Sequence, residues 1–240
     1  LGFANVAEVP GPDGQPQFVL LVKDGIEVMY QTWAALEAEH PELAAEPRSV
    51  EARWRLMRAL YFAGEYASSS EAEAKASFLE ATTVAEECLA LLRARAAEGS
   101  SRDFSRATPL ELVPRFAGDP EAVSAFEWGA VAWGMYALAK GILAAAREGA
   151  VARIRDYAEA VNRLAPALDD AAGDRTLGRL HHKTPSIPLL TGWVSGKEAI
   201  RHLRRAVAIA PTSLVNRLFL AEALHEFEPS RLDEVISIAE

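Results

Sequence analysis

The stretch Lys197–Phe227, KEAIRHLRRAVAIAPTSLVNRLFLAEALHEF, decides the fold. In its first half, apolar residues recur with the 3.6-residue period of an amphipathic helix, and the arginines lie outside that stripe. The stripe consists of Ala199, Ile200, Leu203, Ala206, Val207 and Ala210. Pro211 ends this helix because proline lacks an amide hydrogen, and Thr212 or Ser213 can cap the next helix. Because the connection is so short, we expect two antiparallel helices that share their apolar faces.

The second helix of this hairpin also carries an apolar side. We expect it to bury the residues Leu214, Leu218, Ala221 and either Leu224 or His225. The stripe again follows the helical period, so the hairpin is predicted to be helical throughout.

Similar helical signals recur along the chain. Periodicity predicts helices at about 17–39, 49–64, 71–97, 120–147, 150–165 and 173–182, a short helix within 99–118, and a last one from Ser230. Several starts carry a capping signal, in which a small polar residue precedes the helix: Ser70 with Glu73, Thr108 with Glu111, and Asp119 with Pro120. The predicted fold is therefore all-α, a tetratricopeptide-like α-solenoid of about nine helices in stacked antiparallel pairs.

The domain organisation follows from where the turn residues cluster. Residues 1–16 are rich in proline and glycine, which predicts an extended N-terminal segment. Residues 17–240 then form a single tetratricopeptide-like domain. The interval of 45 residues from Pro166 to Pro211 is longer than the roughly 34 residues of a regular tetratricopeptide unit, so the repeat is degenerate.

Composition restricts the partners. Half of the 240 residues are hydrophobic, and the formal net charge is −9. An acidic chain with dispersed arginines argues against nucleic acid as a partner. The single cysteine, Cys88, excludes an internal disulfide and lies on an apolar helical stripe, so we expect it to be buried. No stretch is long and apolar enough to predict a transmembrane segment.

The most polar cluster near an aromatic loop is His181-His182-Lys183. Adjacent helical residues point about 100° apart, so this pair is poorly placed to chelate one metal ion. We expect these side chains to cap the helix end or to contact an anionic ligand. A helical metal-binding protein or enzyme that uses His181 and His182 is an alternative.

Four further residues complete the candidate ligand- or partner-binding set, namely Trp128, Tyr136, Trp193 and Arg217. Trp193 lies in the loop between Gly192 and Gly196, where an aromatic ring favours recognition. No serine–histidine–aspartate order and no glycine-rich phosphate loop occurs in the sequence. The sequence therefore predicts no catalytic residues, no metal and no cofactor.

Four segments carry a resemblance to a known family. FANVAEVPG at 3–11, ALYFAGEYA at 59–67, LGRLHHKTPSIPLLTGWV at 177–194 and KEAIRHLRRAVAIAP at 197–211 together resemble the T-component family of tripartite ATP-independent periplasmic (TRAP) transporters. The resemblance implies a bacterial helical-repeat scaffold, exported and often lipid-anchored, that forms a trimer and works with a periplasmic solute-binding protein. It also implies a small organic acid or a hydrophobic molecule as ligand.

The leading hypothesis is thus a non-enzymatic scaffold that binds a protein partner and a small organic-acid or apolar solute. The resemblance predicts a periplasmic location, or a lipid anchor on a segment preceding Leu1, because Cys88 lies mid-helix and cannot carry the lipid. A cytoplasmic location stays open, and with it the alternative of a tetratricopeptide module that binds peptides.

Overall fold

The structure, a computed structural model, describes residues 6–10, 16–20 and 49–231, and almost all regular structure in these ranges is helical. This confirms the all-α prediction. Two short strands, β1 (Val6–Pro10) and β2 (Pro16–Leu20), form an antiparallel hairpin in which Val6 pairs with Leu20. The prediction of a helix over 17–39 is wrong at its start, because residues 17–20 belong to β2. The rest of that predicted helix lies outside the described residues.

Nine α-helices occur between residues 49 and 231. They are α1 (Val50–Phe62), α2 (Glu71–Ala97), α3 (Pro109–Leu112), α4 (Pro120–Lys140), α5 (Ile142–Arg147), α6 (Ala150–Leu164), α7 (Ala172–Lys183), α8 (Gly196–Ile209) and α9 (Leu214–Phe227). A π-helical turn, Ala63–Ala67, follows α1, and 3₁₀ turns cover Val113–Arg115 and Pro229–Arg231. Beyond Arg231, the last predicted helix lies outside the described residues.

The predicted caps set the starts of three helices. The side chains of Ser70, Thr108 and Asp119 each accept a backbone amide hydrogen bond from the first turn of α2, α3 and α4. The capping box at Thr108 is complete. At Ser70 only half of the box forms, because the carboxylate of Glu73 accepts from the amide of Ser69 (2.8 Å) instead.

Glycines decide the course of the fourth helix. The predicted helix over 120–147 is two helices, since Gly141 takes a φ of 92° that ends α4 and starts α5. Gly129 lies where a Cβ atom would meet the ring of Tyr157 at 2.6 Å, so its missing side chain lets α4 approach α6 closely.

The helices pack mainly against their neighbours in the chain. α4 packs against α1, α2 and α6; α6 then packs against α7, α7 against α8, and α8 against α9. The largest fully buried side chains of the main core include Tyr157, Phe126, Met57 and Leu92. Cys88 is also buried, as predicted. The further arrangement of these pairs as a tetratricopeptide-like solenoid stays a prediction.

The α8–α9 hairpin confirms one predicted face and corrects the other. The α8 stripe is buried at Ala199, Ile200, Leu203 and Ala206. In α9, however, Leu214 and Leu218 are 74% and 55% exposed. The buried face consists of Asn216, Leu220, Ala223 and Leu224, so the prediction is confirmed at Leu224 and wrong at Leu214 and Leu218. The physical reason is Asn216, whose amide donates to the carbonyls of Asp170 (2.7 Å) and Ala206 (3.3 Å) and thereby rotates the predicted face outward.

Candidate functional site

A cavity of about 570 Å³ lies among α1, α4, α6, α7 and α9. It exists because α4 and α7 both pack against α6 but contact each other at few points, which leaves a gap above α6. The apolar α6 residues Val151, Ile154, Ala158 and Val161 lie beneath it but are at most 4% exposed, so its accessible apolar walls come from α4 (Val131, Met135 and Leu138) and α9 (Val215). At Gly134 in the α4 wall, an added Cβ would meet no atom within 4 Å. The gap between the helices is therefore both apolar and accessible.

Two aromatic rings form one end of this cavity. Tyr61 at the end of α1 and Trp128 of α4 have ring centres 5.9 Å apart. The guanidinium carbon of Arg58 lies 5.8 Å from the centre of the Trp128 ring. Such rings offer apolar area and a face that attracts cations.

Three cations of α7 line another wall. Arg175, Arg179 and Lys183 are spaced four residues apart, so they share one helix face. All three already have internal acidic partners. Arg175 donates to Asp169 Oδ2 at 2.6 Å, Arg179 donates to Glu222 at 2.5 Å, and Lys183 Nζ lies 3.6 Å from Glu222.

A strained turn links α6 to α7 beside these cations. Asp169, Asp170 and Ala171 have φ values of 41°, 56° and 66°, which residues with a side chain seldom adopt. The side chain of Arg175 donates to the carbonyls of Asp169 and Asp170. Together with the Asn216 amide, these bonds hold the turn in its unfavourable conformation. The turn places the two aspartates at the cavity wall.

Glu127 is the acidic residue of α4 that lines the cavity. It is half-buried, and its carboxyl group makes no hydrogen bond or ion pair with any described residue. Burial, reinforced by the charge of Asp169, raises the pKa of Glu127 to about 7, against the opposing effects of Arg175 and Arg58. At neutral pH this carboxyl group therefore exchanges readily between its acid and its carboxylate form.

The two predicted histidines line a smaller recess of about 330 Å³ between the end of α7, the following loop and the end of α9. Their rings diverge, as the helical geometry predicts. His181 stacks on His202 with ring centres 5.8 Å apart and meets the Trp193 ring edge-on at 5.3 Å. His182 Nε2 lies 2.9 Å from a carboxylate oxygen of Glu226. Within the described ranges, no cluster of three or more histidine, cysteine or acidic residues could hold a metal ion.

A buried charge network lies behind this recess. His202 Nδ1 is 2.6 Å from Asp174 Oδ1, and Arg205 is 3.4 Å from the other carboxylate oxygen. Arg201 donates to His202 Nε2 at 2.8 Å, so the ring carries its proton on Nδ1 and donates to Asp174. Burial lowers the pKa of His181 to about 4, assisted by neighbouring His202. This network joins α7 to α8.

The structure places the sequence-predicted residues in four settings. Trp128 lines the large cavity, Lys183 lines both cavities, and the two histidines line only the smaller recess. The remaining three, Tyr136, Trp193 and Arg217, line neither. Tyr136 is buried and bonded to Glu148 (2.9 Å), Trp193 packs between His181 and Arg155, and Arg217 is half-buried on α9.

Sequence reasoning missed most of the large cavity, including its aromatic and charged residues Tyr61, Glu127, Arg175 and Arg179. The four-residue spacing of Arg175, Arg179 and Lys183 predicts that they share one helix face, so this charged face could have been found from the sequence. Glu127 gave no such signal, because a single acid in an amphipathic helix ordinarily faces water.

No helix among residues 49–231 combines the length and apolar character that spanning a membrane requires. No family model matches the chain, and no curated protein matches it either. The T-component likeness therefore rests on the quoted segments alone.

Proposed function

We propose that this chain is a non-enzymatic binding protein whose large cavity holds a small, mainly apolar molecule. The observation that carries the proposal is the cavity of about 570 Å³ with the accessible apolar side chains of its α4 and α9 walls. A size of this order, with apolar walls beside charged groups that can orient a ligand, is typical of small-molecule sites. A free organic acid is the weaker candidate, because the lining cations are already paired with acidic residues.

A protein partner is the second part of the proposal. On α9, Leu214, Val215 and Leu218 are 74%, 48% and 55% exposed, and Val215 also lines the cavity. Neighbouring exposed apolar side chains favour a contact surface. The quoted resemblance adds a specific form: a T-component-like subunit of a TRAP transporter, periplasmic or lipid-anchored, trimeric, and paired with a solute-binding protein.

The cavity function is tested by titrating the protein with neutral apolar alcohols and following heat or tryptophan fluorescence. We expect saturable binding to one site. Gly134→Phe is the blocking variant, since Gly134 lines the cavity and an added Cβ there meets no atom within 4 Å. The control is Leu79→Phe on α2, where Leu79 is exposed. A second glycine such as Gly118 does not serve as the control, because its positive φ would strain any side chain. Equal binding by the Gly134→Phe variant would count against the proposal.

The partner function is tested by isolating the tagged protein from a native extract and identifying co-purified proteins by mass spectrometry. We expect a solute-binding protein, and we expect Leu214→Glu with Leu218→Glu to reduce its recovery. Leu79→Glu, equally exposed but on α2, is the matched control and leaves recovery unchanged. If the partner protein is recovered equally with the α9 variant, the exposed α9 face is not the contact surface.

A further inference from the structure

Two charged groups of the large cavity, Glu127 and Asp170, have no side-chain partner in the described part of the chain, and both are acidic. Arg175, Arg179 and Lys183 each contact a carboxylate, whereas Glu127 contacts none. A half-buried carboxylate without a partner is costly, so a ligand that supplied a positive charge would gain more here than at an exposed site.

The charges around Glu127 also favour a positively charged ligand over a negatively charged one. Asp169 and Asp170 line the same cavity, and the Asp170 side chain makes no hydrogen bond or ion pair with a described residue. The charged groups that act on Glu127 are Asp169 from the turn, Arg175 from α7 and Arg58 from α1. Arg175 is held by Asp169, and Arg58 is exposed on the Trp128 ring. The local balance therefore favours an added cation.

The aromatic end lies next to this acid. Glu127, Trp128 and Tyr61 line the same cavity, and Arg58, which lies 5.8 Å from the centre of the Trp128 ring, also acts on the charge of Glu127. Aromatic faces attract ammonium groups, most strongly where water is partly excluded. Accessible apolar side chains of α4 (Met135 and Leu138) and α9 (Val215) line the same cavity and can hold an apolar body.

We propose that the cavity binds an amphipathic amine, with its apolar body against the α4 and α9 walls and its ammonium group beside Glu127, Tyr61 and Trp128. This inference rests on the proposed cavity-binding function and names its ligand class. Ligand binding then fixes Glu127 as the carboxylate. Since an isolated Glu127 titrates near neutral pH, amine binding weakens as the pH falls from 8 to 6, while binding of a neutral alcohol stays constant.

The test compares octylamine, 1-octanol and octanoate by isothermal titration calorimetry at pH 8, where an aliphatic amine with a pKa of about 10 is charged. We expect octylamine to bind about 10-fold to 100-fold more tightly than 1-octanol, as for a hydrogen bond between charged groups. Octanoate is expected to bind most weakly. Glu127→Gln removes the advantage of the amine, and the exposed Glu80→Gln on α2 keeps it.

The outcomes separate the two proposals. Equal affinity for octylamine and 1-octanol, tighter binding of octanoate, or an amine advantage that survives Glu127→Gln overturns the amine inference and leaves the cavity function standing. Absence of binding by all three compounds overturns the cavity function, and the amine inference with it. Circular dichroism confirms that each variant is folded.

Discussion

His202 Nδ1 lies 2.6 Å from Oδ1 of Asp174, whose side chain is fully buried. The pair joins α7, which lines the cavity, to α8, which does not. Because Arg201 occupies the other ring nitrogen, His202 donates to Asp174 as a neutral imidazole. Arg205 balances the charge of the carboxylate from 3.4 Å. The position of the α7 wall therefore depends on a bond made outside the cavity.

Removal of this carboxylate is expected to destabilise the protein strongly. Asp174→Ala leaves the buried imidazole N–H of His202 unpaired, which costs about 1–3 kcal/mol, whereas water can solvate the half-exposed Arg205. Urea denaturation followed by circular dichroism measures it. The exposed Glu80→Ala, as control, changes stability by less than about 0.5 kcal/mol. If the pair is coupled, His202→Ala adds little in the Asp174→Ala background, and full additivity would contradict this account.

Two glycines on the same helix are expected to respond in opposite directions. In Gly129→Ala the new methyl group collides with the Tyr157 ring, at distances of 2.6–2.9 Å, and we expect a loss of about 1–3 kcal/mol. In Gly134→Ala the methyl group meets nothing within 4 Å, so helix propensity alone raises stability by about 0.5–1 kcal/mol. Thermal and urea unfolding of the Gly129→Ala and Gly134→Ala variants measures both changes in stability. Equal effects would contradict the close α4–α6 approach.

Glu127 is expected to make the folded state less stable at high pH. Its folded pKa of about 7 lies above its ordinary value of 4.5, so its favourable contribution is present below pH 4.5 and is lost as the pH rises through 7. Glu127→Gln should therefore stabilise the protein by about 1–2 kcal/mol at pH 8 and by almost nothing at pH 5. Urea midpoints at the two pH values measure this. An equal gain at both would show that Glu127 does not titrate in this window.

His181 is expected to make the folded state less stable at low pH. Its folded pKa of about 4 lies below its ordinary value of 6.5, because burial disfavours the charged ring. Its contribution is complete above pH 6.5 and is lost as the pH falls toward 4. His181→Gln should flatten the fall in stability across that window. The exposed His225→Gln on α9 is the control, and an identical slope in all three proteins would refute the prediction.

The sequence was sufficient for features that depend on local signals. Caps at Thr108 and Asp119 and the α8 stripe follow from short-range hydrogen bonding and one clear period. The face of α9 could not be predicted in the same way, because α9 is apolar on more than one side. Its orientation depends on the bonds from Asn216 to Asp170 and Ala206.

The cavity itself depends on spacing between helices that are distant in sequence. The gap arises because α4 and α7 both pack on α6 with little contact between them. Periodicity shows which residues are apolar but not how far apart two helices lie. For the same reason Trp128 and Lys183 could be proposed as binding residues, while Glu127 became visible only through its surroundings.

The most direct test of the binding function is calorimetric titration of the protein and its Gly134→Phe variant with 1-octanol at pH 8. The account predicts saturable one-site binding to the original protein and loss of at least about 90% of the affinity, tenfold in Kd, when the ring fills the cavity. Absence of saturable binding, or an unchanged Kd in the folded variant, would contradict it.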